Sequence, residues 1–157
     1  MPIFKVLLSC QLENLTNVRV PDPDFGYNIK VQCTSCDEVS DKWQVVSSGE
    51  EHQLPGSRGT AHYVAKCKLC SKVNSLNVVA GSQVAYMADD APRPKAIVAF
   101  ECRGLRLHSF RMGDGWTVDG SESSKSFSDV CLDDEFCDYD DLANCVVSVS
   151  ELRVLVQ

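Results

Sequence analysis

The chain has 157 residues, of which 44% are apolar, and its formal net charge is −7 at pH 7. This length is typical of a single domain that can bury a substantial hydrophobic core. The acidic balance disfavours a nucleic-acid partner, because affinity for a polyanion comes largely from neutralising phosphates. The apolar run 3–8 is interrupted by Lys5 and is too short for a signal sequence or a membrane span.

Nine cysteines, an odd number, occur without any visible secretion signal. Proteins of the cytosol and nucleus keep their thiols reduced, whereas disulfides persist in oxidising compartments. We therefore expect a cytoplasmic protein, with the nucleus as the alternative compartment, and no association with a membrane.

Alternating apolar and polar residues predict β-strands in the first half of the chain, beginning with residues 4–12. Pro21 and Pro23 then interrupt the pattern, and the polar, glycine-containing segment 48–59 is predicted to be a loop. Further strands are predicted at residues 27–32, 43–47, 60–66 and 74–80.

The second half is predicted to begin after segment 81–94, whose glycine and prolines are typical of a boundary. Strands are expected at 95–102 and 127–132, with a Gly/Ser-rich loop over 113–126 between them. The last strand, 145–156, changes its apolar phase near Ser150 and Glu151, which predicts a bulge there. No window has a helical period, so the sequence predicts an all-β fold of antiparallel sheets.

A weak internal similarity suggests two related halves. A shift of ninety residues places the strand at 4–12 over the strand at 95–102, and Asn14 over Gly104. We therefore expect one domain, 1–157, containing pseudo-repeat halves 1–85 and 95–157. Chance similarity between two amphipathic strands is the alternative explanation.

Two C-x-x-C motifs carry the strongest chemical signal: Cys33 with Cys36, and Cys67 with Cys70. Structural Zn²⁺ takes four ligands in a tetrahedron, and each motif can supply two adjacent corners. Both motifs follow predicted strands, as in zinc knuckles at the ends of hairpins. The spacing therefore predicts one four-cysteine zinc site per chain, in the first half.

Redox chemistry and disulfides are the alternatives for these motifs. A thioredoxin-like C-x-x-C opens a helix, and neither motif has a helical flank. Disulfides would require an oxidising compartment. Lysines beside both motifs favour thiolates, which are the form that binds metal; they are Lys30, Lys66, Lys68 and Lys72.

The other five cysteines do not form a second knuckle. Cys10 and Cys102 lie on apolar faces of predicted strands and are expected to be buried. Cys131, Cys137 and Cys145 lie in or near the acidic run 133–141, which raises thiol pKa values and disfavours nucleophilic chemistry. The acidic run lacks the glycine and closing glutamate of a calcium-binding EF-hand loop.

Several longer motifs occur along the chain. They are Leu12-Glu13-Asn14-Leu15-Thr16, Arg58-Gly59, Lys66-Cys67-Lys68-Leu69-Cys70, Phe127-Ser128-Asp129 and Tyr139-Asp140. The most specific are Ser40-Asp41-Lys42-Trp43 and Cys102-Arg103-Gly104-Leu105. Together these motifs resemble the eukaryotic CXXC-motif-containing zinc-binding protein family over nearly the whole chain. The resemblance implies coiled antiparallel sheets in two similar halves, with one zinc ion held by Cys33, Cys36, Cys67 and Cys70. It implies no catalytic activity.

This sequence departs from the family pattern at a few positions. Asp37 stands where family members tend to have glycine, but aspartate tolerates the positive φ that such a turn requires. Cys131, Cys137 and Cys145 lie outside the pattern. None of these departures affects a predicted metal ligand.

Three functions are consistent with these features. We favour a non-catalytic, monomeric zinc protein that binds an unidentified protein partner. The alternative is a zinc-containing thiol oxidoreductase similar to methionine sulfoxide reductases, for which Cys145 is the candidate nucleophile. A zinc-ribbon nucleic-acid binder is the third hypothesis, and the net charge disfavours it.

Overall fold

The computed structural model describes all 157 residues and contains fourteen β-strands and no helix. The first half contributes β1 (Ile3–Glu13), β2 (Leu15–Arg19), β3 (Tyr27–Cys33), β4 (Gln44–Val46), β5 (His52–Gln53), β6 (Thr60–Ala61), β7 (Tyr63–Lys66) and β8 (Val73–Val78). The second half contributes β9 (Lys95–Arg103), β10 (Leu105–Arg111), β11 (Trp116–Gly120), β12 (Ser126–Val130), β13 (Phe136–Asp140) and β14 (Cys145–Val156). The predicted all-β fold is confirmed. No helix could cross a membrane.

The strands form one large antiparallel sheet and two smaller ones. The six-stranded sheet has the order β13-β14-β1-β9-β8-β7, and the three-stranded sheets have the orders β10-β3-β4 and β12-β11-β2. A separate two-stranded hairpin joins β5 to β6. Exchanging β1 with β9, β14 with β8, and β13 with β7 gives the same strand order, read from the opposite edge of the sheet. This order agrees with two similar halves.

The two halves meet at the antiparallel pair β1–β9, where Phe4 lies opposite Phe100 and Val6 opposite Val98. Each of these strands ends at a residue with positive φ, 56° at Asn14 and 76° at Gly104. The chain then leaves the central sheet, and the next strand pairs with a strand from the opposite half. Thus β2 pairs with β11, and β10 pairs with β3. The positions of β1 and β9 agree with the ninety-residue similarity.

A single hydrophobic core joins the three larger sheets. The rings of Tyr27 and Phe100 meet edge to face, with centroids 5.8 Å apart and an interplanar angle of 88°. This is a favourable arrangement for the aromatic quadrupoles. Cys10 and Cys102 belong to the same core and are only 2% and 0% exposed, which confirms their predicted burial.

The predicted loop at 113–126 is wrong in part, because β11 lies within it. Trp116 and Val118 are buried, and β11 forms the middle strand of its sheet. Gly113 and Gly115 have φ values of 70° and 90°, so the chain turns at the start of the segment, just before β11. The aromatic and β-branched residues that follow favour a strand.

Two further predictions concern local detail. The segment 48–59 is not wholly a loop, because His52 and Gln53 form β5 and pair with β6. The bulge predicted near residues 150 and 151 is confirmed. The β1–β14 register shifts between Ser9 and Gln11, and Glu151 has a φ of 51°.

Gly104 should be the glycine that tolerates substitution least. An added Cβ would lie 2.2 Å from Oδ1 of the buried Asn74, and its φ of 76° is left-handed. Gly56 has a similar φ of 72° but nothing within 4 Å. We expect Gly56→Ala to lower the free energy of unfolding by about 1 kcal/mol, and Gly104→Ala by about 3 kcal/mol, because only Gly104→Ala adds a steric clash. Denaturant unfolding would measure both, and equal losses would contradict this account.

Candidate metal centre

The fold brings the four predicted ligands together. Their sulfur atoms all lie within 4.8 Å of one another. The Sγ atoms of Cys33 and Cys70 are 3.7 Å apart, and those of Cys36 and Cys67 are 3.4 Å apart. Cys33 and Cys36 come from the turn between β3 and β4, and Cys67 and Cys70 come from the turn between β7 and β8. The cluster therefore joins two different sheets.

The backbone of the two cysteine turns is nearly identical. In each turn, the N–H of the first cysteine donates to the carbonyl oxygen five residues later, at 2.9 and 2.8 Å. The N–H four residues later donates back to the carbonyl oxygen of the first cysteine, at 2.9 Å in both turns. The residue after the second cysteine is Asp37 or Ser71, with φ of 63° or 65°. Asp37 thus adopts the positive φ expected of it.

Backbone amides inside the turns stabilise negative charge on sulfur. The N–H groups of Ser35 and Cys36 lower the pKa of Cys33 to about 6. The pKa of Cys67 is lowered as well, most strongly by the N–H of Cys70. Hydrogen bonds to the charged form favour thiolate, which is the form that binds metal.

Cys36 shows why these thiolates require a cation. The N–H of Glu38 lowers the pKa of Cys36, but burial and the three neighbouring sulfur atoms outweigh it and raise the pKa to about 12. Several thiolates within contact distance repel one another. A divalent metal ion would remove this repulsion and allow all four sulfurs to ionise.

The geometry of the donor set fits zinc. A tetrahedron with Zn–S distances of about 2.3 Å has sulfur–sulfur edges of about 3.8 Å. The observed separations of 3.7 and 3.4 Å are close to that edge. They are far longer than a disulfide bond of about 2.05 Å, and all nine cysteines are free thiols.

Asn74, at the start of β8, supports the site and was not predicted from the sequence. It is buried, and its Nδ2 lies 3.6 Å from Sγ of Cys33. Rotating the amide would instead direct its nitrogen at the carbonyl oxygens of Val73 and Gly104, at 3.2 and 3.3 Å. A metal-bound Cys33 is a thiolate acceptor, which favours the nitrogen facing sulfur. The only sequence signal is an asparagine in a strand, where asparagine is disfavoured.

A cleft of about 260 Å³ opens beside the two cysteine turns, between β7 and the segment 38–44. We call it the knuckle cleft. Its apolar lining comprises Val31, Val39, Tyr63, Ala65 and Leu105. Its charged lining comprises Lys66 and Lys68 on the side of β7, and Glu38, Asp41 and Lys42 on the opposite side.

The remaining five cysteines lie outside the cluster, and the surroundings of Cys10, Cys102 and Cys145 disfavour the thiolate form. Burial raises the pKa values of Cys10 and Cys102 to about 12. Cys145 is half-buried, and burial together with nearby carboxylates, first that of Asp140, raises its pKa. Cys131 and Cys137 are exposed.

A sequence profile described as "CXXC motif containing zinc binding protein, eukaryotic" matches residues 5–157. The chain belongs to this family. Similar proteins from Mus musculus and Homo sapiens, both named CXXC motif containing zinc binding protein, are each 40% identical over 146 residues. Each alignment covers 92% of this chain and 91% of the relative. The zinc binding in the family's description thus agrees with the four-cysteine cluster of this chain.

Solved structures share the fold. The crystal structure of C1orf123 has a TM-score of 0.92 and 37% identity to this chain and covers 99% of both chains. A structure titled "Hypothetical protein from plasmodium falciparum" has a TM-score of 0.89 over the whole of both chains, at 23% identity. At that identity the second comparison shows the fold alone.

Removing one ligand should abolish zinc retention. We expect Cys36→Ser or Cys70→Ser to lose the metal and to lower the melting temperature by about 10 °C or more, because structural zinc contributes directly to folding. Cys137→Ser changes an exposed cysteine outside the cluster and should do neither. Elemental analysis and thermal unfolding would check both results. Metal retained in both ligand variants would refute the assignment.

Proposed function

We propose that this protein binds one zinc ion per chain through Cys33, Cys36, Cys67 and Cys70, and that this zinc is structural. The convergence of four sulfurs from two turns is the observation that carries this proposal. Four thiolates complete the tetrahedron, so no position remains for the water or substrate that catalytic zinc requires. When bound, the metal would cross-link the turn after β3 to the turn after β7.

We propose further that the protein acts by binding a protein partner rather than by catalysis. Four of the five thiols outside the cluster are poor nucleophiles, since the pKa values of Cys10, Cys102, Cys131 and Cys145 are all raised. Nδ1 of the His62 ring is used in a structural hydrogen bond rather than in catalysis, because it accepts the N–H of Val78 at 2.9 Å.

The nine free cysteines support a reducing compartment, the cytosol or nucleus.

The partner surface in this proposal is the knuckle cleft, and its occupant is an extended segment of another protein. β7 is an edge strand that pairs only with β8. Ala65 lies opposite Asn74, and the N–H of Cys67 donates to Lys72. By the alternation of antiparallel pairing, the backbone groups of Val64 therefore point toward the open edge. An extended peptide can hydrogen-bond to such an edge.

Side chains indicate the chemistry of this segment. The apolar lining of the knuckle cleft would accept one large apolar side chain, whose burial contributes about 1.5–3 kcal/mol. Lys66 and Lys68 lie on the β7 side of the cleft, and an added strand would run beside them. Acidic residues next to the apolar anchor would complement these lysines and favour association. We therefore propose an acidic, extended segment with one apolar anchor.

A thiol oxidoreductase similar to methionine sulfoxide reductases remains the second candidate. We expect the zinc-loaded protein to show no turnover of methionine sulfoxide, disulfide or ester substrates, because the pKa of Cys145, the candidate nucleophile, is raised. The assay would compare the native protein with Cys145→Ser at equal zinc content. Turnover that disappears in Cys145→Ser would establish an enzyme and overturn the proposal.

Site-specific photo-crosslinking can test the partner surface. A photoreactive residue at Val39 in the knuckle cleft should crosslink an acidic segment, whereas one at the exposed Leu142 on the β13–β14 turn should not. Ala65→Trp should abolish the crosslink by filling the cleft while zinc is retained. A synthetic peptide of the crosslinked segment should bind, and replacing its acidic residues should weaken binding about tenfold. Crosslinks that persist in Ala65→Trp would place the partner elsewhere.

A further inference from the structure

The symmetric strand order gives the metal centre a counterpart in the second half. The turn between β3 and β4 corresponds to the turn between β11 and β12. The turn between β7 and β8 corresponds to the turn between β13 and β14. The eight strands that flank these turns occupy equivalent places in their sheets, so their turns can be compared residue by residue.

The β3–β4 turn and the β11–β12 turn are each closed by an equivalent backbone hydrogen bond. The N–H of Cys33 donates to the carbonyl oxygen of Glu38 at 2.9 Å, and the N–H of Gly120 donates to that of Lys125 at 2.8 Å. Both bonds span five residues and begin at the last residue of a strand. Gly120 therefore occupies the position of Cys33.

Both turns are also hydrogen-bonded to the opposite half of the chain in the same way. The N–H of Thr34 donates to the carbonyl oxygen of Gly104 at 3.1 Å, and the N–H of Ser121 donates to that of Asn14 at 3.0 Å. Gly104 and Asn14 are the left-handed residues that follow β9 and β1. The correspondence thus extends to the residue that supports each turn.

The second pair of turns matches as closely. Asp140 lies opposite Cys145 at the end of its hairpin, as Cys67 lies at the end of the β7–β8 hairpin. The Oδ1 atom of Asp140 accepts the N–H groups of Leu142 and Ala143, both at 3.0 Å. The N–H of Cys67 donates to the carbonyl oxygen of Lys72, five residues later, which is the same spacing as between Asp140 and Cys145. The carboxylate of Asp140 therefore takes the place of the Cys67 thiolate.

Left-handed residues complete the match between these two hairpin turns. The fourth residue after Cys67 is Ser71, with a φ of 65°, and the fourth residue after Asp140 is Asn144, with a φ of 55°. On this correspondence, the four ligand positions fall on Gly120, Ser123, Asp140 and Ala143.

The side chains at these positions meet where the metal ligands would meet. The Oγ atom of Ser123 donates to Oδ2 of Asp140 at 2.5 Å, in the place of the close Cys36–Cys67 contact. A Cβ added at Gly120 would lie 2.7 Å from that Oδ2 and 3.1 Å from that Oγ. Position 120 therefore points at the same centre as Cys33 does in the other half.

We propose that these two turns form a metal-free counterpart of the zinc centre, closed by the Ser123–Asp140 hydrogen bond in place of the metal. Asp140 is 0% exposed and accepts from Ser123 as well as from two backbone amides. Its oxygens are therefore engaged within the protein, so no metal is needed. The molecule is held at one end by zinc and at the other by this hydrogen bond, and only the zinc end responds to loss of metal.

Restoring cysteines at the counterpart should create a second zinc site. The variant Gly120→Cys, Ser123→Cys, Asp140→Cys and Ala143→Cys should raise the zinc content from one to two ions per chain. The matched control places serine at the same four positions (Gly120→Ser, Asp140→Ser and Ala143→Ser, with Ser123 unchanged) and should keep one zinc ion, because neutral hydroxyls are not ligands of structural zinc. A folded four-cysteine variant that still binds one zinc ion would overturn the correspondence.

Hydrogen exchange on the native chain tests the proposal independently of that variant. A chelator should speed exchange of residues 34–38 and 68–72 by about tenfold or more, and that of residues 121–125 and 141–144 by less than about twofold. The double variant Ser123→Ala with Asp140→Ala should show the reverse pattern with zinc retained.

The neighbouring double variant Ser124→Ala with Asp141→Ala is the matched control for this experiment. It removes exposed groups, including a surface ion pair with Lys125, and should leave exchange at both ends nearly unchanged. Equal acceleration of both ends by the chelator would overturn the proposal. An unchanged exchange rate at residues 121–125 and 141–144 in the Ser123–Asp140 variant would do so as well.

Discussion

The antiparallel pairing of β1 with β9 is the constraint on which the rest of the fold depends. Each of these strands ends at a left-handed residue, Asn14 or Gly104, which directs the chain out of the central sheet. The following strand then pairs with the opposite half, so neither half can complete its own three-stranded sheet. The metal centre inherits this interlocking. All four of its cysteines come from the first half, yet the turn at Thr34 is hydrogen-bonded to Gly104 of the second.

Zinc in this protein has a different energetic role from zinc in a small finger domain. A zinc finger has too little apolar surface to fold without metal. Here a core of 27 buried residues, including Tyr27 and Phe100, joins the sheets without any of the metal ligands. The metal would therefore stabilise the turns at one end of the sheets rather than the core. Loss of zinc is expected to act first on local opening of those turns, which can have a lower free energy than global unfolding.

The sequence was sufficient for the fold class and for the convergence of the cysteines, because both depend on local signals. Strand alternation identified β1 and β9, and the paired C-x-x-C spacing identified four residues that meet in space. The sequence did not predict elements whose structure depends on contacts with residues distant in the chain. The sequence predicts a loop where β11 lies, because glycines and serines surround it, although the burial of Trp116 in the core decides its structure. Asn74 and the Ser123–Asp140 pair gave no clear signal, since their roles come from contacts across strands that are distant in sequence.

Strand length distinguishes the end of the molecule with the four cysteines from the end with the Ser123–Asp140 hydrogen bond. At the zinc end, β3 has 7 residues, β4 has 3, β7 has 4 and β8 has 6. At the counterpart, β11, β12 and β13 have 5 residues each and β14 has 12. β14 pairs with β13 and β1 over longer stretches than β8 pairs with β7 and β9. Longer ladders supply more backbone hydrogen bonds and more cross-strand packing, each worth a few tenths of a kcal/mol to about 1 kcal/mol. The short β4, β7 and β8 leave the zinc end less stabilised, and a four-thiolate metal site would compensate there. β7 is also an open edge beside the knuckle cleft, so the surface proposed for a partner lies at the end that the metal would stabilise.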